Sequence, residues 1–153
     1  MRGFTDADAL AVATWRYDGP WSIYNVSEPT GLSSENGYHA IIDSPTGVLV
    51  GFLCLGTEAR VPGLAKDAGI ADLGVGIDPQ LVGLGGGRTL ISPVLEWVRS
   101  NWPNMKLRAV VQEWNERSLR LCLALGFEEV NRLQVVQKGQ TVTYVVLVTP
   151  NEE

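Results

Sequence analysis

Asp72-Leu73-Gly74-Val75-Gly76-Ile77-Asp78-Pro79, running on to Gly83-Leu84-Gly85-Gly86-Gly87-Arg88, is the stretch on which the fold turns. An apolar segment of strand character ends at Pro79. A glycine-dense turn follows, and then an amphipathic stretch from about Thr89 to Trp102. Strand, glycine turn and helix in this order present backbone N–H groups to a phosphate. Glycines let the backbone approach closely and take positive φ, while the helix start adds about half a unit of positive charge.

Working outward, the helix after the turn carries Leu90, Ile91, Val94, Leu95 and Val98 on one face. Pro93 lies inside it, where it should kink the helix or remove one hydrogen bond. Lys106 to Val111 is an apolar strand, so strand, helix and strand form a right-handed βαβ unit with parallel strands. Upstream, Tyr38 to Ile42 and Val48 to Leu55 flank the turn Asp43-Ser44-Pro45-Thr46-Gly47 as an antiparallel hairpin. Thr5 with Asp8 reads as a capping box opening a helix over Asp6 to Trp15, which Asp18-Gly19-Pro20 ends. Residues 1–4 have room for a stub of strand, and Trp21 to Asn36 reads as loop with a short helical turn. Downstream, Asn115 caps a helix carrying Leu119, Cys122, Leu123 and Leu125, and Gly126 stops it. Val130 to Val136 and Thr141 to Val148 close the chain as a hairpin about Lys138-Gly139. The order α, ββ, βαβα, ββ makes residues 1–153 a single α/β domain with a mixed sheet.

Composition bounds the function. The chain has 153 residues, of which 45% are hydrophobic and 19% charged, as in an ordinary globular domain. A net charge of −5 argues against nucleic acid as the main partner and is compatible with a cationic substrate. Two cysteines, Cys54 and Cys122, have no framework spacing, so reduced thiols are expected. The apolar run Val48 to Leu55 is too short to cross a bilayer, and Thr5-Asp6-Ala7-Asp8 is acidic where a signal peptide would be basic. A cytoplasmic domain without membrane contact is the expectation.

A nucleotide P-loop needs Gly-Lys before Ser or Thr, whereas Gly87 precedes Arg88-Thr89. A dinucleotide fingerprint starting at Gly83 needs its third glycine where Arg88 stands, and its distal acidic residue is missing from a strand end. The third reading is a resemblance. Asp72 through Gly87, with Asn115-Glu116-Arg117-Ser118 through Gly126-Phe127, resembles the GNAT superfamily of N-acetyltransferases. That family's acetyl-CoA signature is Arg or Gln, two residues, Gly, one residue, then Gly or Ala, placed after a strand and opening a helix. Its later helix starts at Asn and closes on Gly-Phe. Gln80-Leu81-Val82-Gly83-Leu84-Gly85 fits the signature by letter. The alternative register puts Val82 at the first position and starts the apolar helix face at Leu90 and Ile91; it is preferred. The resemblance covers nearly the whole chain and implies a mixed, mainly antiparallel sheet with a central βαβ unit flanked by helices.

The resemblance implies acetyl-CoA as donor and a primary amine as acceptor, joined by direct attack in a ternary complex, with no metal. The pyrophosphate would rest on backbone N–H groups between Gly83 and Arg88, a set that includes Leu84, Gly85, Gly86 and Gly87. The strand before the turn would splay from its parallel neighbour, freeing the main chain of Val75, Gly76 and Ile77 for the pantetheine. Asn115 would hydrogen-bond the coenzyme arm as well as cap its helix. Acyl transfer needs a base for the amine and a proton for the leaving thiolate. Asp72 stands where family members often carry the base, with Glu58, Glu35 and Glu113 as rivals. Cys122 stands where the family commonly has the tyrosine acid, with water, Tyr24 or Tyr38 as alternatives. Trp15, Tyr17, Trp21 and Tyr24 are candidate walls of the acceptor pocket, and His39 is expected to be structural. Gly74 and Gly76 leave open the transfer of a longer acyl group. A non-catalytic acyl-CoA-binding module is the alternative function, and a homodimer through the closing hairpin is a further expectation.

Overall fold

The computed structural model describes residues 1–26, 28–61, 64–82 and 86–150. Seven strands are β1 (Arg2–Gly3), β2 (Tyr38–Asp43), β3 (Val48–Leu55), β4 (Ile70–Ile77), β5 (Lys106–Gln112), β6 (Glu128–Gln137) and β7 (Gln140–Val148). Three helices are α1 (Asp6–Thr14), α2 (Gly87–Asn101) and α3 (Glu116–Ala124). The sheet runs β1-β2-β3-β4-β5-β7-β6, so the last hairpin folds back and leaves β6 on the edge. Every neighbouring pair is antiparallel except β4 with β5. This is the mixed, mainly antiparallel α/β sheet the sequence points to.

Local chemistry explains the boundaries. Thr5 and Asp8 form the reciprocal capping box that opens α1. α3 starts at Asn115, whose side chain accepts from Ser118 N, and ends in a Schellman arrangement. There Phe127 N donates to Cys122 O and Gly126 N to Leu123 O, with Gly126 at φ 94°. The β6–β7 turn puts Lys138 and Gly139 both at positive φ, the geometry of a two-residue hairpin turn whose twist matches its strands. Helix α2 runs through Pro93, which has no N–H for the Thr89 carbonyl. Both residues are exposed, so water can take its place.

Side chains alternate across the sheet and build two cores. On one face Ile41, Leu53, Leu73 and Leu107 pack under Ile91, Val94, Leu95 and Val98 of α2. On the other, Ala40 and Phe4 meet Ala9 and Val12 of α1. Trp21 to Asn36, expected as loop with a short helical turn, takes in the end of a 3-10 turn at Gly19–Tyr24 and a second at Ser34–Asn36. Among the described residues no helix is long and apolar enough to cross a membrane.

Candidate active site

The parallel pairing of β4 and β5 is short. It covers only Ile70 with Lys106, Ala71 with Leu107 and Asp72 with Arg108. Beyond that point β4 stays on β3 through Ile77, and β5 stays on β7 through Gln112. The two strands therefore part after Asp72, leaving a wedge whose walls are main chain. Gly56 N donates to Asp72 O and Asp78 N donates to Val50 O at the two ends of the β3–β4 ladder. Alternation between these bonds turns the amides of Gly74 and Gly76 toward β3, and those of Leu73, Val75 and Ile77 into the wedge. Val75 and Ile77 thus turn their N–H groups away from the β3 ladder, while the Ile77 carbonyl accepts from the Tyr17 hydroxyl. Gly76 does not turn away, because its N–H and C=O belong to the ladder.

Gly76 has another task. A Cβ there would collide with the Phe52 ring, and one at Gly51 would stand 2.6 Å from Gly76 O. The two glycines let β3 and β4 carry an aromatic ring flat against the backbone. The space beside Gly76 is therefore filled, which removes it as room for a longer acyl chain.

Asp72 marks the vertex of the wedge and is 3% exposed. Its Oδ1 accepts from Arg108 Nε at 2.6 Å; its Oδ2 accepts from Arg60 Nε at 2.9 Å and Arg108 Nη2 at 3.1 Å. Arg108 Nη2 also donates to Ala65 O. Burial alone would push this carboxyl up, but the hydrogen bonds and charges of Arg108 and Arg60 outweigh it and hold it below its ordinary value. A buried carboxylate bound by two guanidiniums is a poor proton acceptor. The base role expected of Asp72 gives way to a structural one, pinning the loop after β3 to the last parallel pair.

Glu58 lies in the 3-10 turn Thr57–Ala59 and is exposed. This turn passes over β4, with Ala59 Cβ 3.9 Å from where a Gly74 Cβ would stand. Of the rivals, Glu113 pairs with Arg132 at 2.9 Å, and Glu35 lies in the Ser34–Asn36 turn. Cys122 packs against the α2-side core, and burial pushes its thiol up to about 11. At that position it is a small apolar filler, which is the physical reason against the acid role.

The segment after α1 crosses the open end of the wedge. The Tyr17 hydroxyl donates to Ile77 O at 2.6 Å on the β4 wall. On the other wall Trp21 Nε1 donates to Asn115 Oδ1 at 3.1 Å, and Asn115 Nδ2 donates to the Tyr24 hydroxyl at 3.2 Å. Trp114 meets Trp21 edge-on and stacks with Tyr24, while the Arg117 guanidinium lies 4.2 Å over the Trp21 ring. Asn115 is buried and committed to the helix cap and to two aromatic side chains, which leaves at most one amide proton for a coenzyme arm. Sequence reasoning grouped the aromatics but missed their anchor on Asn115, since the partners lie 94 and 91 residues apart.

A cavity of about 290 Å³ opens beside this segment, lined by Arg16, Tyr17, Trp21, Pro79, Val82 and Arg117. It joins the start of the glycine turn to the first turn of α3. Helix α2 begins at Gly87 with Gly86 before it, and no side chain among the described residues caps it. Its first N–H groups, with Arg88 in the same turn, are free to meet a phosphate. Gly83, Leu84 and Gly85 lie outside the described residues.

Residues 7–127 match the family model of the acetyltransferase (GNAT) family. The chain belongs to this family. A GNAT-family acetyltransferase of Bacillus anthracis shares the fold at a TM-score of 0.76 and 14% identity, over 96% of this chain and 91% of that one. A chimera of the spermidine N-acetyltransferase SpeG of Vibrio cholerae and hSSAT aligns at 0.72 and 18%, over 97% and 93%. The acetyltransferase YncA of Salmonella typhimurium, a putative one solved with acetyl-CoA, aligns at 0.55 and 23%, over 70% and 61%. At these identities the likeness is one of fold. No curated protein matches the chain significantly. The wedge, the uncapped helix start and the Asn-headed α3 fit acetyl-CoA, the donor this family uses. Among the described residues no group of three or more His, Cys, Asp or Glu is placed to hold a metal.

Proposed function

We propose that this chain is an N-acetyltransferase that moves the acetyl group of acetyl-CoA to a primary amine by direct attack in a ternary complex. The observation that carries the reading is the parting of β4 from β5 after Asp72. It leaves the N–H groups of Val75 and Ile77 outside the β3 ladder, beside a helix start that no side chain of the described residues caps. In this reading the pyrophosphate lies on the turn from Gly83 to Arg88 and the first turn of α2. The pantetheine runs through the wedge against Val75 and Ile77, and the thioester carbonyl accepts from one of their N–H groups.

Glu58 is the base in this scheme, taking the amine's proton directly or through water. Its turn lies over β4 at Gly74, next to the wedge. The acceptor we favour is a cationic small molecule in the cytoplasm, supported by the net charge of −5 and the exposed aromatic surface of Tyr24 and Trp114. The spermidine acetyltransferase chimera of the same fold is a precedent for such an acceptor.

A second reading, an acyl-CoA-binding module without catalysis, draws support from Asp72, whose carboxylate is engaged by two arginines. Calorimetric titration with acetyl-CoA, followed by thiol release across a panel of amines, separates the two. Binding with release on at least one amine is the expected result. Binding without release on any amine favours the module, and absence of binding sinks both.

A further inference from the structure

A thiolate leaving a thioester must gain a proton, and among the described residues few side chains at the open end of the wedge can give one. Tyr17 directs its proton into Ile77 O. Cys122 packs against the core. Tyr24 is different, and the hydrogen bonds of Asn115 fix how. Ser118 N and Trp21 Nε1 can only donate, so the atom they both reach is the amide oxygen of Asn115. Its nitrogen therefore faces Tyr24, and because that nitrogen only donates, the Tyr24 hydroxyl must accept. The phenol's own proton is left pointing elsewhere, with no acceptor among the described residues.

We infer that Tyr24 is the proton donor to the sulfur of the departing coenzyme, acting from the segment after α1 and held by Asn115. This rests on the acetyltransferase reading above. The amine nitrogen bonds to the thioester carbon, and the carbon–sulfur bond breaks with its electron pair on sulfur. The Tyr24 proton passes to that sulfur. The surplus proton on nitrogen leaves through the base, and solvent reprotonates the phenolate. The side chain is held on two sides. Trp114 stacks on the ring, and Asn115, fixed as the α3 cap, aims the oxygen. Burial, followed by the neighbouring Tyr144, raises the phenol's pKa against the lowering effect of Asn115, so the proton is present at neutral pH. The residue is still 40% exposed, so water can refill it.

The test is Tyr24→Phe, which keeps the ring, checked for an unchanged far-ultraviolet spectrum. Its first arm is a binding cycle that needs no turnover: affinities of CoA and desulfo-CoA for wild type and variant. A contact with sulfur predicts about three- to tenfold weaker CoA binding in the variant and unchanged desulfo-CoA binding. The second arm is steady-state kinetics, with kcat down at least about tenfold and KM for acetyl-CoA within about twofold. Equal weakening of both ligands, or kcat retained within about twofold, overturns the assignment. If wild type turns over no amine, the acetyltransferase reading fails, and the binding cycle still decides whether Tyr24 meets the sulfur.

Discussion

The Tyr17 hydroxyl donates a 2.6 Å hydrogen bond to the carbonyl oxygen of Ile77, sixty residues further along the chain. This bond joins the segment after α1 to the last residue of β4, on the side that β5 has vacated. Tyr17→Phe should cost about 1 kcal/mol at neutral pH, measured by urea denaturation. Burial first, then the charge of Asp78, pushes the Tyr17 phenol up to about 12 from its ordinary 10.0. The neutral form is thus favoured by folding. Its stability is complete below the unfolded value and is lost as pH rises from about 10 to about 12. Comparison of urea midpoints at about pH 8 and about pH 11 should give a smaller alkaline loss in the variant than in wild type.

Asp72→Asn removes the carboxylate shared by Arg60 and Arg108 and leaves two guanidiniums without their counter-charge. Breaking a buried pair in this way costs about 3–5 kcal/mol. Because the native carboxyl is held below 3.8, its contribution is present above that pH and lost as pH falls through the depressed native value. Acid titration of the melting temperature should show wild type falling below about pH 4 and the variant low but flatter there. A variant as stable as wild type, with a selective loss of kcat, would return Asp72 to the role of base.

Glu58→Gln separates the proposed base from the scaffold. Glu58 is exposed and, among the described residues, no hydrogen bond from another residue holds its side chain, so the melting temperature should not move. The expected kinetic effect is a drop in kcat of about a hundredfold, partly recovered at higher pH as more of the acceptor amine arrives neutral. An unchanged kcat eliminates Glu58.

Cys122→Ala should leave kcat within about twofold of wild type, because the thiol is a packing group rather than the acid. With burial holding the thiol near 11, alkylation of the native protein at neutral pH should be slow at this residue and fast only after unfolding, read by mass spectrometry.

Gly76→Ala places a methyl group against the Phe52 ring. The ring must turn away from β4, at a cost of about 1–3 kcal/mol for overpacking. Chemical denaturation measures that cost, and pairing the change with Phe52→Ala should recover part of it if the two groups conflict as the geometry indicates.

Much of this architecture is legible in the chain because local chemistry writes it. The Thr5–Asp8 capping box, the Asn115 cap, the Gly126 stop and the Lys138-Gly139 turn each follow from one or two residues, and each is found where it is read. The apolar face of α2 and the strand alternation follow from periods of 3.6 and 2. The site is less legible. Asp72 reads as the base until Arg60 and Arg108 close on it from elsewhere in the chain. Gly76 reads as a ligand-facing residue until the register assigns its amide to β3.

For the opening stretch, the sequence by itself determined that a strand ends at the glycine turn and a helix begins after it. It also determined the family, since spaced glycines and an Asn-headed helix are properties of neighbouring residues. Only the tertiary structure decided where β4 leaves β5, which of Val75, Gly76 and Ile77 face the gap, and how Tyr17, Trp21 and Tyr24 are tied across it. Those facts depend on the register of strands far apart in sequence. A shift of one residue would exchange the ladder side for the open side while leaving every local signal in the sequence unchanged.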